Sequence, residues 1–250
     1  ANFALDRWVD LVEYIPEDDI RQMLKTYSRQ YNQYMKLKVM LKNNLISLLD
    51  QTFPGVNTLF ASSPRQDGHE KWIDFTAKFW HCECVCRLSL KTFNELYGKW
   101  CKKAGYQYRA EKAEEIYVKS CGHVDTLPKN TCTKLLITQA IQQLNTIAET
   151  LSVLISEMRR LAALLPEYPV VMAMHGAGRT LGPQLMAEIG DVRRFYHKKA
   201  LVAFAGLDSP PYQSGSFEAK SRSISKRGSS FLRKTLFQTM FCILRASSAD

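Results

Sequence analysis

From Ile137 to Leu165 the apolar residues recur at alternating steps of four and three: Ile137, Ile141, Leu144, Ala148, Leu151, Ile155, Met158, Ala162 and Leu165. This is an unbroken heptad seam, and a helix is the conformation that puts such a series on one stripe. Pro166 stops it. At ~1.5 Å per residue the rod is on the order of 45 Å long. It cannot bury its stripe alone, so a second helix or a second copy of the chain must cover it. A second run fits that need: Ile20, Leu24, Tyr27, Tyr31, Tyr34, then Lys38 as the one break, then Leu41, Leu45 and Leu48. It predicts a long helix that begins behind Pro16-Glu17-Asp18-Asp19 and ends near Phe53-Pro54-Gly55. On its expected outer face Arg21, Lys25, Arg29, Lys36 and Lys42 either follow a phosphate backbone or simply solvate the helix.

The chain has 250 residues, 46% of them hydrophobic, enough for one or two domains with a core. The formal net charge is +10, and residues 170–250 hold twelve Lys/Arg against five Asp/Glu, a surplus of +7. Such a balance points to an anionic partner, nucleic acid first among them, with a merely soluble basic protein as the plain alternative. No apolar run approaches the ~20 residues a membrane span needs. Seven cysteines cannot all pair in disulfides, which fits a reducing compartment. The expectation is a cytoplasmic protein. The chain opens at Ala1 inside a helix-like run, as a fragment would.

Residues 56–130 carry weaker signals. Trp72, Phe75, Phe79 and Trp80 have helical spacing, Ser89 is placed to cap a helix through Phe93, Leu96, Tyr97 and Trp100 that stops at Gly105, and a third helix spans Arg109 to Cys121. His81-Cys82-Glu83-Cys84-Val85-Cys86, with Cys101, Cys121 and His123 beyond, raises the question of zinc. The Cys-x-Cys-x-Cys spacing lacks the paired Cys-x-x-Cys of structural sites, and on a helix the three thiols diverge. Cysteine as a small buried hydrophobe is the default reading.

After Tyr168-Pro169 the composition shifts. Val170 to Met174, the run His175-Gly176-Ala177-Gly178, and a helix from about Thr180 to Ile189 read as a helix-hairpin-helix. Gly176 and Gly178 there would let backbone N–H groups meet a DNA phosphate. His175 and His197 fit surface or packing roles better than proton transfer. Asp208-Ser209-Pro210-Pro211 breaks the helix before it and delivers Tyr212-Gln213-Ser214-Gly215-Ser216. A serine beside a glycine on a polar turn, with Lys220, Arg222, Lys226 and Arg227 close behind, suits attack on a phosphodiester. Gly215 admits the bulky phosphate and the four cations hold its oxygens. A solvated Ser/Gly/Lys loop is the bland alternative. Ser229 or Ser230 would cap a last helix through Phe231, Leu232, Leu236, Met240 and Leu244, with Arg233 and Lys234 in its first turns.

Met174-His175-Gly176-Ala177-Gly178, Met186-Ala187-Glu188-Ile189-Gly190-Asp191, Phe195, Leu201 to Leu207, Gln213-Ser214-Gly215 and Ile224-Ser225-Lys226-Arg227-Gly228 with Leu232-Arg233 together resemble the C-terminal domain of the DEDD-type insertion-sequence transposases related to the Piv invertase. Where the family usually has proline before the first hairpin glycine, this chain has His175. The resemblance implies Ser214 as the recombination nucleophile, and a coiled coil between two catalytic domains. It also implies an N-terminal RNase H-like domain whose four carboxylates bind Mg²⁺ and would fall before Ala1, and targeting by a structured guide RNA. No residue of this chain is then a metal ligand.

The expected fold is mainly α. Residues 1–15 would be the tail of an RNase H-like domain, 16–166 a coiled-coil and helical middle, and 167–250 a transposase domain with a helix-hairpin-helix and a serine loop. The expected function is DNA recombination through a covalent serine-DNA ester, with Ser214 catalytic. Gly176, Gly178, Gly215, Lys220, Arg222, Lys226, Arg227, Gly228 and Arg233 would contact DNA, and a homo-oligomer would form through the coiled coil. A helix-hairpin-helix binding module without catalysis, or a coiled-coil interaction protein, are the alternatives.

Overall fold

The computed structural model describes residues 18–61, 64–65, 68–123, 126–209, 213–214, 217–218 and 223–247. It is mainly helical, as expected. Helices α1 (Asp19–Leu49), α2 (Lys71–Lys78), α3 (Glu83–Cys86), α4 (Leu90–Ala104), α5 (Ala110–Cys121), α6 (Thr131–Ala162), α7 (Tyr168–Ala173), α8 (Leu181–Ile189), α9 (Lys198–Phe204) and α10 (Ser230–Ser247) follow one another. A single antiparallel ladder, β1 (Gln213–Ser214) with β2 (Phe217–Glu218), interrupts the described helices. Two compact units result, one of residues 1–30 with 154–250, the other of 31–153. The division falls inside both long helices.

In α6 and the turn after it, eight of the nine heptad positions are buried, from Ile137 through Leu165, with Ile155 half-buried. This burial is achieved within one chain, so no second copy is needed to cover the seam. The α1 stripe buries Leu24 and Leu45 as expected and is rotated by about one position elsewhere. Arg21, Leu24, Ser28, Asn32, Leu45 and Leu49 are the buried positions, while Ile20, Tyr27, Tyr31, Tyr34, Leu41 and Leu48 are only half-buried. The tyrosines satisfied a hydrophobic pattern, but as amphipathic side chains they sit half-buried at the edge of the stripe.

The unit of residues 31–153 is held by aromatic packing. Leu45 and Leu49 of α1 and Ile137, Ala140, Ile141 and Leu144 of α6 share one core with α2, α4 and α5. Phe75, fully buried, lies at its centre: it stacks on Phe79 at 4.8 Å and meets Phe60, Trp100, Phe53 and Tyr97 at 5.3 to 6.2 Å in edge or tilted geometry. Ser89 accepts a hydrogen bond from the Thr92 N–H to cap α4, and Gly105 ends it in the left-handed region at φ 72°, both where the sequence placed them.

His81 is buried and uses both ring nitrogens. Nδ1 accepts the Glu83 N–H at the start of α3, and Nε2 stands 3.0 Å from the Leu127 carbonyl, which makes it the protonated nitrogen. Cys82 and Cys101 are core residues, and none of the seven cysteines forms a disulfide. Among the described residues no three His, Cys, Asp or Glu side chains converge as a metal site. Burial pushes the Cys84 thiol up, away from the thiolate a metal would take.

Lys42, expected on an outer phosphate-tracking face, is instead ion-paired: its Nζ lies 2.6 Å from Glu70 Oε2, which also accepts the Trp72 indole N–H at 2.8 Å. Burial alone would raise the Glu70 carboxyl, but the bonds from Lys42 and Trp72 outweigh it and hold the carboxyl below its ordinary value.

Phe75→Ala should destabilise the fold by about 3–5 kcal/mol through a lost ring and a residual cavity, measured by urea denaturation. For Glu70 the depressed native pKa means its contribution is present above the unfolded carboxylate range and lost as pH falls through the native value. Lys42→Met should therefore cost roughly 1–3 kcal/mol at pH 7 and flatten or reverse the loss of stability between pH 6 and 3, followed by denaturation at each pH.

Candidate functional site

The unit of residues 1–30 and 154–250 is built around a small core of Ala177, Leu185, Ala205 and Leu232, flanked by Val171, Ile189, Leu201, Phe204, Leu207 and Leu236. Helices α7 and α8 pack against each other across the turn that carries Gly176 and Gly178. Its two glycines differ. At Gly176 (φ 80°) a Cβ would lie 2.7 Å from Ile243 Cγ1 and 2.9 Å from the Thr239 carbonyl of α10, whereas at Gly178 it would meet open space. Gly176 thus packs closely onto α10, while the space where Gly178 would carry a side chain is open.

Arg21 ties the start of α1 into this unit. Its guanidinium reaches Asp18 at 2.9 Å, Glu167 at 2.8 Å and the Gly190 carbonyl at 3.3 Å, and the residue is 4% exposed. The expectation that Arg21 lies on a solvated, phosphate-facing surface is corrected here: a planar guanidinium with three acceptors in reach is satisfied in the interior. Arg29 lies over the Phe231 ring at 5.4 Å, Asp191 caps the turn behind α8 and holds Arg193 in a bidentate pair, and Arg194 stacks over Phe195 and Phe204 at 4.7 and 4.5 Å. His197 caps α9 by accepting the Ala200 N–H on Nδ1, which is its structural role. His175 is exposed.

Two strands of backbone cross where α9 ends. The Ser229 N–H donates to the Phe204 carbonyl at 2.7 Å, Lys226 N–H to Gly206 at 3.0 Å, and Ser225 N–H to Asp208 at 2.8 Å. Ser225 Oγ also donates to Asp208 Oδ1 at 2.5 Å, and Ser209 Oγ to the Ser223 carbonyl at 3.3 Å. Residues 209–224 therefore leave and return at one point, a loop closed at its base. Gly228 is packed so tightly that a Cβ would fall 2.1 Å from the Phe204 oxygen and 2.5 Å from the Gly206 nitrogen. Gly206 is left-handed at φ 65°, and Lys226 takes φ 56°, a conformation costly for a residue with a Cβ.

The loop carries the β1/β2 ladder, in which Gln213 pairs with Glu218 and Ser214 with Phe217. Ser214 is thus the last paired residue of β1, two residues short of its partner strand. Gly215, Lys220 and Arg222, like Tyr212 and Ser216, lie outside the described residues. Lys226 and Arg227 are exposed at the closed base. Arg233, expected on DNA, donates from Nη1 to the Ala205 carbonyl at 3.0 Å and braces the end of α9. Ser229 Oγ caps α10 by accepting the Leu232 N–H at 3.1 Å.

The Asp208–Ser225 latch and the Gly206 crossing were not singled out from the sequence as parts of the site. Their one signal was the glycine in Leu201 to Leu207 paired with a second in Ile224 to Gly228, and only their meeting in space gives that pairing sense.

Exposed Lys226 and Arg227 thus stand at the base of the segment that carries Ser214. Residues 168–250 match the model of the transposase IS116/IS110/IS902 family. The match covers the last third of the chain and is a likeness to insertion-sequence transposases over that part. No curated protein matches the chain. No described helix is long and apolar enough to cross a membrane.

Gly228→Ala should disrupt the loop base, at a cost of roughly 3 kcal/mol or more, because the obstruction is backbone that cannot rotate away. Gly178→Ala, with room for the methyl, should stay within about 1 kcal/mol of the parent. Thermal unfolding of the two variants makes the comparison.

Proposed function

We propose that the chain is the strand-exchange part of an insertion-sequence transposase in which Ser214 attacks a DNA phosphodiester. The observation that carries this reading is that the family match spans both Ser214 and the closed base of its loop. In the reaction the Ser214 oxygen forms a new ester bond to phosphorus as one strand P–O bond breaks, and the serine proton ends on the departing strand oxygen. The energy of the ester is kept, so a second strand hydroxyl can displace the serine and rejoin the DNA.

The chain's own contribution is to hold the serine at the tip of a short ladder and to meet phosphate with cations. Lys226 and Arg227, with Lys220 and Arg222 inside the loop, are proposed to bind the strand's oxygens, and the open Gly178 to approach a neighbouring phosphate by its backbone. Gly215 is proposed to give the phosphate room beside the serine. Mg²⁺ belongs to this reading through the carboxylates of the family's RNase H-like domain. The described residues here offer no such cluster, so no step is assigned to a metal in this chain. A structured guide RNA is the further partner the reading takes. Contacts in a homo-oligomer would fall on surfaces other than the α6 seam, since that seam is covered within one chain.

The test combines this protein with the acidic domain, guide RNA and a donor DNA, and traps covalent protein-DNA adducts. Ser214→Ala should abolish the adduct while leaving DNA binding within about twofold, since it removes one oxygen and no charge. Tyr212→Phe and Ser216→Ala should retain the adduct. An adduct that survives Ser214→Ala and vanishes with Tyr212→Phe overturns the serine assignment in favour of tyrosine chemistry.

A further inference from the structure

In the unit of residues 31–153 an open cavity of about 470 Å³ is lined by Lys71, Arg109 and Lys112 together with the rings of Phe60, Tyr97 and Tyr106. No Asp or Glu contributes to its lining. The Lys71 ammonium sits over all three rings, 5.3 Å from Phe60, 5.9 Å from Tyr97 and 5.3 Å from Tyr106, and Lys112 lies over Phe60 at 5.6 Å. Ring faces hold a cation in place without neutralising it. The polar neighbours offset the charge of Lys112 but leave those of Lys71 and Arg109 without a carboxylate in the lining. Lys71 donates to the Gln107 carbonyl at a long 3.3 Å, Lys112 pairs with Glu115 outside the cavity lining, and the Tyr106 hydroxyl is committed to Asp74.

Three cationic side chains around one concavity, only Lys112 of them paired with a carboxylate and that one outside the lining, make a site that gains by taking an anion. Burial first, and then the nearby charges of Lys112 and Arg109, hold the Lys71 ammonium below its ordinary pKa, the direction expected of a cation cluster waiting for a counter-charge. The volume exceeds what a simple halide needs and is of the size that small-molecule groups occupy.

We propose that this cavity seats a phosphate of a nucleic-acid strand, with Lys71 at its aromatic floor and Arg109 and Lys112 at its mouth. The proposal rests on the transposase reading for the class of partner, and it gives the middle unit a binding role beside the Ser214 loop. The shared chemistry is the phosphodiester oxyanion, presented by RNA or DNA, single-stranded or duplex. The aromatic faces are occupied by the protein's own cations and by ring stacking such as Trp100 on Tyr106 at 5.4 Å, so the site reads phosphate and not base.

The experiment uses the whole chain. Lysines are acylated at pH 8 in the presence of single-stranded RNA, single-stranded DNA, duplex DNA or inorganic phosphate, and modified peptides are quantified by mass spectrometry. Lys71 should be protected by at least one nucleic acid, and the arm that protects it identifies the source. In parallel, Arg109→Gln with Lys112→Gln should lower the log-log salt slope of binding to that nucleic acid by about 1.4–1.8 units, while Arg109→Lys with Lys112→Arg should preserve it. Both positions are partly or fully exposed, so circular dichroism should show both pairs folded.

Unchanged Lys71 acylation at saturating nucleic acid, or an unchanged slope, overturns the proposal. So does protection by inorganic phosphate alone, which would mark a small-anion site. If Lys226→Ala with Arg227→Ala weakens binding and the Arg109/Lys112 pair does not, the cavity assignment fails and the transposase reading stands. If no nucleic acid binds the chain, both fail.

Discussion

The crossing of backbone at Gly206 and Gly228 is the constraint on which the candidate site depends. Three main-chain hydrogen bonds in five residues, from Ser225, Lys226 and Ser229 to Asp208, Gly206 and Phe204, bring the two ends of a long polar loop to one place. Closing such a loop has an entropic cost that grows only slowly with its length. The approach leaves no volume for a side chain at Gly228 and forces Lys226 into the left-handed region. Arg233 and Ser229, both on or next to α10, are tied to the same point. The base of the loop, the end of α9 and the start of α10 therefore form one piece of structure, and the exposed cations Lys226 and Arg227 have a fixed station there.

The two units use different physics for their cores. Residues 31–153 bury an aromatic cluster in which Phe75 touches five other rings, so their stability is chiefly apolar area and ring geometry. The unit carrying the serine loop has a smaller core of Ala177, Leu185, Ala205 and Leu232 and relies on polar ties in addition. A buried guanidinium is expensive unless each donor finds an acceptor, and Arg21 finds Asp18, Glu167 and the Gly190 carbonyl at once. This pins the start of α1 to the segment after α6 and to the end of α8. A charge so placed gives direction to the packing that a small apolar core alone would leave loose.

Much of the architecture was legible in the chain as written. The four-three run of α6 could be satisfied only by a helix with one covered stripe, and eight of its nine positions are buried. Ser89 and Gly105 delimit α4, and Ser229 caps α10, because caps answer a local need: orphan backbone groups at helix ends bond to side chains a few residues away. The order of short blocks in the last third carried the resemblance that the family match supports in its general form.

What the sequence left undecided depends on partners distant along the chain. Helical periodicity placed Arg21 and Lys42 on an outward face, yet Glu167 and Glu70 draw them into ion pairs across 146 and 28 residues. The tyrosines of α1 counted as seam residues, and tertiary packing turned the stripe by about one position so that Ser28 and Asn32 are buried instead. Gly176 looked like a phosphate contact beside Gly178 until α10 was found against it. Local hydrogen bonding and periodicity are properties of neighbours in sequence, and the sequence by itself determined the helices, their ends and the serine-bearing element. Which face is covered, which cation is spent and where two glycines meet are set by contacts between remote segments, and only the tertiary structure decided them.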